Sequence, residues 1–412
     1  MKILFGNKFF YLKGGSEYIF FDSAEYLEQK GHKAIFFSMR HPQNISSIYE
    51  EYFVSNIDYN NGGIGNRIRG SLNVLYSFEA RRKAVELIEK ERPDIAHLHN
   101  IYHQISPSIL HAFKRFNIPV VLTLHDYKMV CPAYSMLRGG EICEACRDGS
   151  YYNCLLKGCS QNSRLKNLLN TIEMYLHHDI LHIYDLVDTF ISPSIFLKNK
   201  LEEMGFKGRM VYLPNFIKLD GISPVYNWKE RSIVYFGRLS KEKGIFTLIE
   251  AAKKINAIMF KIIGEGPLEK DIRTKISAEN IRNVKLLGYK RGEDLKMEIL
   301  KSMFIVLPSE WYENNPRSII EGFAYGKPVI GSRLGGIPEL VRDNETGLTF
   351  ESGNAEDLRI KIEYLTNHQD KIIEMGKNAR LFVEKELGAD RHYEGLIRIY
   401  NQAKALKSRG RL

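Results

Sequence analysis

At 412 residues the chain is too long for one ordinary hydrophobic core and fits two domains of about 150–200 residues each. Hydrophobic residues at 44% and charged residues at 26% match a soluble globular protein, and no apolar run approaches the roughly 20 residues of a membrane-spanning helix. A net charge of +10 points to an acidic partner such as nucleotide phosphate or anionic lipid, and five cysteines without an export signal point to a reducing, cytoplasmic compartment.

The chain opens with an apolar strand at Lys2–Gly6, then the turn NKFFYLKGGSE and a helix whose Phe20, Ala24 and Leu27 share one face. A strand at Lys33–Ser38 completes the first strand–helix–strand unit. The alternation continues with helix Phe78–Glu91, strand Ile95–His99, helix Ile105–Phe116 and strand Val120–His125. Beyond a cysteine-rich insertion at 131–160 come a long helix over Arg164–Asp185, strand Thr189–Ser192, helix Ile195–Glu203 and strand Met210–Leu213. Pro214–Lys229 breaks the rhythm and reads as a hinge. Strands then recur at Ser232–Gly237, Phe260–Gly264, Val284–Gly288, Met303–Leu307, Pro328–Gly331 and Gly347–Phe350, before a helical, charged C-terminal part. The pattern predicts an α/β chain of two tandem doubly wound, Rossmann-like domains with a cleft at the carboxyl ends of their strands. The expected division is 1–215, 216–388 and a last segment, 389–412, packing back on the first domain.

Candidate chemistry falls at strand ends. Gly14 and Gly15 lie where the first strand hands over to the first helix, a place where backbone N–H groups can approach a phosphate. An ordinary turn is the competing reading. FGRLSKEKG repeats that geometry at Gly237 and adds Arg238 and Lys243, a forked and a point cation suited to a diphosphate. Gly264 and Gly266 in IIGEGP form a loop floor, and Tyr289 or Lys290 is placed to meet a base. Between Leu307 and Val329 the sequence predicts a strand, a polar loop carrying Glu313, and a helix opening at Pro316 and containing Glu321. The N–H groups of Arg317 and Ser318 would make its start an anion site. The two acids are too far apart to form a dyad and suit different hydroxyls of one ligand. His125 ends a buried strand, and His97, His99 and His103 end an earlier one; His99 and His103 are assigned to the acceptor side.

Cys131, Cys143, Cys146, Cys154 and Cys159 all lie in the insertion, and the Cys143–Cys146 spacing suits a structural zinc. Free thiols or disulfides are equally compatible with it. The helix after the insertion carries Arg164 and Lys166 beside Leu165, Leu168, Leu169, Ile172 and Leu176. That stripe is read as core, with docking on an anionic membrane surface as the alternative.

The ordered set KGGSE, HLHN, TLHDY, PN, FGRLSKEKG, IIGEGP, Glu313-x₇-Glu321, GKPVI, GGIPELV and ETGL resembles the retaining nucleotide-sugar glycosyltransferases called group 1 or family 4, of GT-B fold. The resemblance runs over essentially the whole chain and is densest from Phe236 to Phe350. It implies a diphosphate held by Gly15, Arg238 and Lys243, ribose on Glu321, and donor sugar on Glu313 and on the backbone of Asn314 to Ile319, with His125 beside the transferred sugar. It implies no catalytic cofactor or metal, a glycan or lipid-linked acceptor, and a role in building surface polysaccharide or glycolipid. The chain departs from the common pattern in ENNP, where Asn314 and Asn315 replace small residues and are placed to read sugar hydroxyls. A nucleotide-sugar epimerase of the same fold and a non-catalytic sugar-nucleotide-binding subunit are the alternatives. A nucleic-acid binder fits least, because the cations sit at strand ends rather than in an aromatic-interleaved stripe.

Overall fold

A computed structural model of the chain describes residues 1–56, 64–159 and 163–409; residue 160 of the cysteine segment and 410–412 at the chain end lie outside it. Two compact units result. One comprises Met1–Arg138, Cys143–Pro214 and His392–Leu412, the other Gly139–Ile142 and Asn215–Arg391.

The first unit is built on strands β1 (Lys2–Gly6), β2 (Lys33–Phe37), β3 (Ile95–Leu98) and β4 (Val120–Thr123). The chain then forms two short strands, β5 (Leu137–Arg138) and β6 (Glu141–Ile142), the latter belonging to the second unit, and the first unit continues with β7 (Thr189–Ser192) and β8 (Met210–Tyr212). The main sheet runs in the order β2-β1-β3-β4-β7-β8, with every pairing parallel. Parallel strands need cover on both faces, which is why β3, β4 and β7 are buried along their whole length and read as continuous apolar runs. The order reverses between β1 and β3, so their outgoing loops diverge and leave a crevice.

The second unit contains β9 (Ser232–Phe236), β10 (Met259–Ile263), β11 (Val284–Leu286), β12 (Ile305–Leu307), β13 (Val329–Ser332) and β14 (Gly347–Phe350). Their order, β11-β10-β9-β12-β13-β14, is that of a dinucleotide-binding sheet, with its switch point between β9 and β12, where Ile305 registers with Val234. The loops after β9 and β12 are those that carry Arg238, Lys243 and Glu313.

The boundary between the units falls at Pro214–Asn215, the start of the segment read as a hinge, and the rest of that segment is laid against the second unit: Ile217 N–H donates to Leu387 O at 3.0 Å and Val225 N–H to Tyr325 O at 3.0 Å. Two expectations are corrected. The helix expected over 105–116 is a 3₁₀ turn, Pro107–Ile109, followed by Leu110–Arg115, because Ser106 takes a left-handed φ of 71° and Pro107 restarts the helical run. The long helix over 164–185 is straight only to Tyr175. It then widens into a π turn at Leu176–Ile180, where His177 Nε2 lies 2.7 Å from Leu75 O, and His182 at φ 45° breaks it before a last turn at Ile183–Leu186.

The helix Ala389–Arg409 joins the first unit from His392 onward. There His392 Nδ1 lies 2.9 Å from Pro214 O, and the buried Tyr400 hydroxyl lies 2.7 Å from His97 Nδ1. Among the described residues no helix is long and apolar enough to cross a membrane.

Candidate active site

In the second unit, backbone contact fixes the loop after β9. Gly237 N–H donates to Ile263 O at 3.0 Å and Leu239 N–H to Glu265 O at 2.9 Å, so this loop lies along the one after β10. The contact requires glycine: a Cβ on Gly264, whose φ is +145°, would sit 1.9 Å from Gly237 O. Gly264 N–H donates in turn to Gly288 O, which brings in the loop bearing the exposed Tyr289. Arg238 is exposed at the end of β9, with its carbonyl held by the Tyr235 hydroxyl at 2.8 Å.

Lys243 ends a 3₁₀ turn, and Gly244 (φ +66°) starts the helix Ile245–Ala252 against β12; a Cβ on Gly244 would lie 1.8 Å from Pro308 O. This close approach aims Lys243 at the loop after β12. Its Nζ meets Glu313 Oε1 at 2.6 Å and stands 4.9 Å over the Trp311 ring. Glu313 is buried and also accepts from the Ser309 hydroxyl at 2.6 Å. Burial alone would raise its carboxyl, but Lys243 and these hydrogen bonds outweigh burial and hold it below the usual carboxylate range.

The backbone around Glu313 is clamped. Its carbonyl accepts from Gly336 N–H at 2.7 Å, and a Cβ on Gly335 (φ +64°) would fall 2.4 Å from that oxygen. Two residues on, Asn315 O accepts from Asn215 Nδ2 at 2.9 Å. These contacts give the GGIP and PN segments of the sequence a physical purpose. The Asn315 side chain is 5% exposed, and neither its Oδ1 nor its Nδ2 has a protein partner.

Pro316 occupies the N-cap rather than the first helical position, with ψ 118°, and the helix spans Arg317–Ala324. The extended ψ of Pro316 keeps it outside the helix, which therefore begins one residue later than the sequence suggests. Ser318 and Ile319 form its first turn, and Arg317 Nε donates to Glu321 Oε1 at 2.7 Å. Glu313 and Glu321 thus have separate partners.

In the first unit Gly14 is the extended N-cap of the helix Gly15–Gln29. Its first turn carries Glu17, a buried acid that accepts from the Ser16 hydroxyl at 3.0 Å and Asn7 Nδ2 at 3.4 Å, and burial raises its carboxyl. Behind it stands a file of histidines. His97 Nε2 lies 2.7 Å from Thr123 Oγ1, the His97 and His99 ring centres are 4.6 Å apart, and His99 Nδ1 lies 2.8 Å from His125 Nε2. Burial lowers all three, His97 to about 3, His125 to about 4 and His99 well below its ordinary value, so the file is neutral at physiological pH.

The expected grouping of His103 with His97 and His99 does not form. A φ of 66° turns His103 away, toward Glu173 at 3.5 Å. Glu173 is fully buried and pairs with the equally buried Lys128 at 2.7 Å. Burial would raise it, but the Lys128 ammonium and His103 hold it well below the carboxylate range. His99, Tyr102, His125, Asp126, Lys128 and Tyr184 face one cavity at the ends of β3 and β4. Burial raises Asp126 to about 6, against the opposing pull of the Lys128 N–H and of Lys8, and the Tyr102 hydroxyl donates to its carboxylate. Sequence reasoning missed Glu17, Asp126, Lys128 and Glu173; the first two sit inside motifs it quoted, KGGSE and TLHDY, and Glu173 inside the helix it discussed only for its apolar stripe.

All five cysteines line a second cavity, together with Met136 and Met204, and none is in a disulfide. Among the described residues no three His, Cys, Asp or Glu side chains stand in an arrangement that could hold a metal ion.

Residues 13–220 match the model of Glycosyltransferase Family 4, and residues 223–382 that of Glycosyl transferases group 1. The chain belongs to the group 1, family 4 glycosyltransferases. This glycosyltransferase is 28% identical over 355 residues to an uncharacterized glycosyltransferase of Methanocaldococcus jannaschii, covering 86% of this chain and 87% of that one. It is 22% identical over 401 residues to the N-acetyl-alpha-D-glucosaminyl L-malate synthase of Bacillus anthracis, covering 95% and 94% of the two chains. Its two Rossmann-like sheets have the GT-B fold of solved glycosyltransferases. Sucrose-phosphate synthase from Thermosynechococcus elongatus aligns at TM-score 0.73 and 19% identity over 98% of this chain and 99% of that one. Anabaena HepE in complex with UDP and glucose aligns at TM-score 0.69 and 16% identity over 97% and 99%.

Proposed function

We propose that this glycosyltransferase moves a sugar from a nucleoside diphosphate sugar to a glycan or lipid-linked acceptor in polysaccharide or glycoconjugate synthesis, with retention of configuration and without a catalytic metal. The observation that carries the reading is the Lys243–Glu313 pair beside the start of the helix Arg317–Ala324. Arg238, Lys243 and the positive end of that helix supply charge against a departing diphosphate, the task a metal would otherwise perform. Glu321, oriented by Arg317, accepts the ribose hydroxyls, and Gly237 and Gly264 let the nucleotide approach the backbone, with Tyr289 beside the base.

The buried, unpartnered Asn315 amide supports a hydrogen bond to the donor sugar, since an unsatisfied buried amide costs roughly 1–3 kcal/mol. His125, which burial lowers to about 4 and leaves neutral, supports the role of orienting a sugar as a hydrogen-bonding group rather than as a cation. The relatives' names agree with this chemistry: the Bacillus anthracis enzyme is a glucosaminyl malate synthase, and a Staphylococcus aureus relative is a poly(ribitol-phosphate) alpha-N-acetylglucosaminyltransferase.

Lys243→Ala is expected to lower the transfer rate about 10²–10³-fold, the loss typical of removing one transition-state donor, and Glu321→Ala to weaken nucleotide binding and transfer about 10–100-fold, in keeping with roughly 1.5–3 kcal/mol for hydrogen bonds to a charged group, each with an unchanged circular dichroism spectrum. Normal turnover by either variant overturns the site. Incubation with donor alone separates transfer from epimerisation, which would yield an isomeric sugar nucleotide.

A further inference from the structure

The helix Arg164–Tyr175 is inside out. Its buried side chains include Asn167, Thr171 and Glu173, while Leu165 is 80% exposed, Ile172 44% and Leu168 41%. Of the stripe expected to be core, Leu165, Leu168 and Ile172 therefore face solvent, while Leu169 and Leu176 are half-buried. The cause is the far side of the helix: Glu173 turns inward to neutralise Lys128, Thr171 Oγ1 donates to Asn167 O at 2.8 Å, and the Cys154 thiol lies 3.7 Å from Asn167 Oδ1. With the polar face committed inward, the leucines have no place inside the unit.

Two neighbouring helices pack against the helix Arg164–Tyr175 and carry exposed apolar side chains of their own: Tyr152–Lys157, which meets its polar side through Cys154 and Asn167, exposes Tyr152 and Leu156, the latter at 75%, and Ile64–Leu75 exposes Leu72. The charge is one-sided. Arg164 and Lys166 are exposed one residue either side of Leu165, about 100° away in each direction around the helix, so they flank the stripe. Lys157 adds a third exposed cation. The only acid on the helices Tyr152–Lys157 and Arg164–Tyr175 is Glu173, which is buried.

We propose that this face docks the first unit on an anionic lipid surface, with Leu165, Leu168 and Ile172 entering the headgroup region and Arg164 and Lys166 on the lipid phosphates. Charge complementarity selects this occupant over a second copy of the chain. A two-fold contact would set the same patch against itself and oppose its three cations with only Asp179, on the turn that continues the helix, to offset them.

The test is co-sedimentation of the full chain with vesicles of phosphatidylcholine alone and of phosphatidylcholine with one-third phosphatidylglycerol. The wild type is expected to partition at least about tenfold more onto the anionic vesicles. The Leu165→Ser, Leu168→Ser, Ile172→Ser triple variant, altered only at exposed positions, should lose about tenfold of that binding while still binding donor nucleotide in solution. Arg164→Glu with Lys166→Glu should abolish the preference for anionic vesicles. Equal sedimentation of wild type and triple variant, or no sedimentation of the wild type, overturns the proposal. So does a wild-type dimer in light scattering that the triple variant dissolves without any change in lipid binding.

Discussion

The two units have nearly the same sheet and hold their functional groups in opposite ways. In the second, the loops after β9, β10, β11 and β12 are fastened main chain to main chain, and glycines at 244, 264 and 335 permit approaches that any side chain would block. In the first, side chains do the fastening: a neutral file of histidines and a buried Lys128–Glu173 pair brace the loop that carries His125 and Asp126. Backbone fastening demands particular residues at particular places. Side-chain fastening can be met by many combinations, and it depends on protonation.

The contrast is sharpest at Gly264. Gly264→Ala puts a methyl group 1.9 Å from Gly237 O at a left-handed φ, where no side chain can move aside. A loss above about 4 kcal/mol, read as a collapse of the second unit's thermal transition with at least a 10³-fold drop in transfer, is the expected result. An alanine variant with ordinary stability would mean that the loops are not locked as described.

In the first unit Lys128→Met should cost about 3–5 kcal/mol, because Glu173 is left charged and buried, and Glu173→Leu added to it should restore most of that loss. Chemical denaturation of the single and double variants checks this. A double variant as unstable as the single one breaks the comparison.

The units should also part company in acid. Eleven of the twelve histidines lie in the first unit, and only His368 in the second. His97, His125, His178 and His392 are lowered by burial to between about 3 and about 4. The unfolded chain therefore binds protons first as pH falls through 6.5, and their stabilisation, complete above 6.5, is lost from about 6.5 down to about 4 for His125 and His392 and to about 3 for His97 and His178. Each contributes about 1.4 kcal/mol per pH unit in that window. Asp126, raised to about 6, works in the opposite sense and offsets one of them. Calorimetry between pH 7 and 5 should show the first unit's transition falling faster than the second's.

The smallest effect belongs to Ser309→Ala, which removes one of the hydrogen bonds to Glu313 but leaves Lys243. About a threefold fall in transfer rate is expected, in keeping with roughly 0.5–1.5 kcal/mol for one such bond. A change beyond tenfold would mean that Lys243 alone does not hold the carboxylate.

This contrast also explains what could be read without coordinates. Strands that must be buried on both faces announce themselves as apolar runs, so both sheets were legible, and so were loops whose glycines, cations and acids sit close together in sequence. Glu313 with Lys243 could be placed in one region because each follows a strand end beside the switch point. Lys128 with Glu173 could not, since 45 positions separate them and neither belongs to a local pattern. The stripe on the helix Arg164–Tyr175 misled for the same reason: periodicity finds an apolar face but does not say which way a distant buried charge will turn it. The widening at Leu176–Ile180 depends on a bond to Leu75, about a hundred residues away, and leaves no local mark.

The clamps around residues 314 and 315 have a consequence for how such a chain diversifies. Gly336 holds the carbonyl before them and Asn215 holds the carbonyl of the second, so their main-chain path is set from both ends by groups outside the pair. Side chains there can be exchanged while Glu313, the helix start and Glu321 stay where they are. If Asn314 and Asn315 read the donor sugar, as proposed, scaffold and selectivity occupy different residues, and two codons become the cheapest route by which descendants of this sequence could acquire a new sugar without rebuilding the machinery around it.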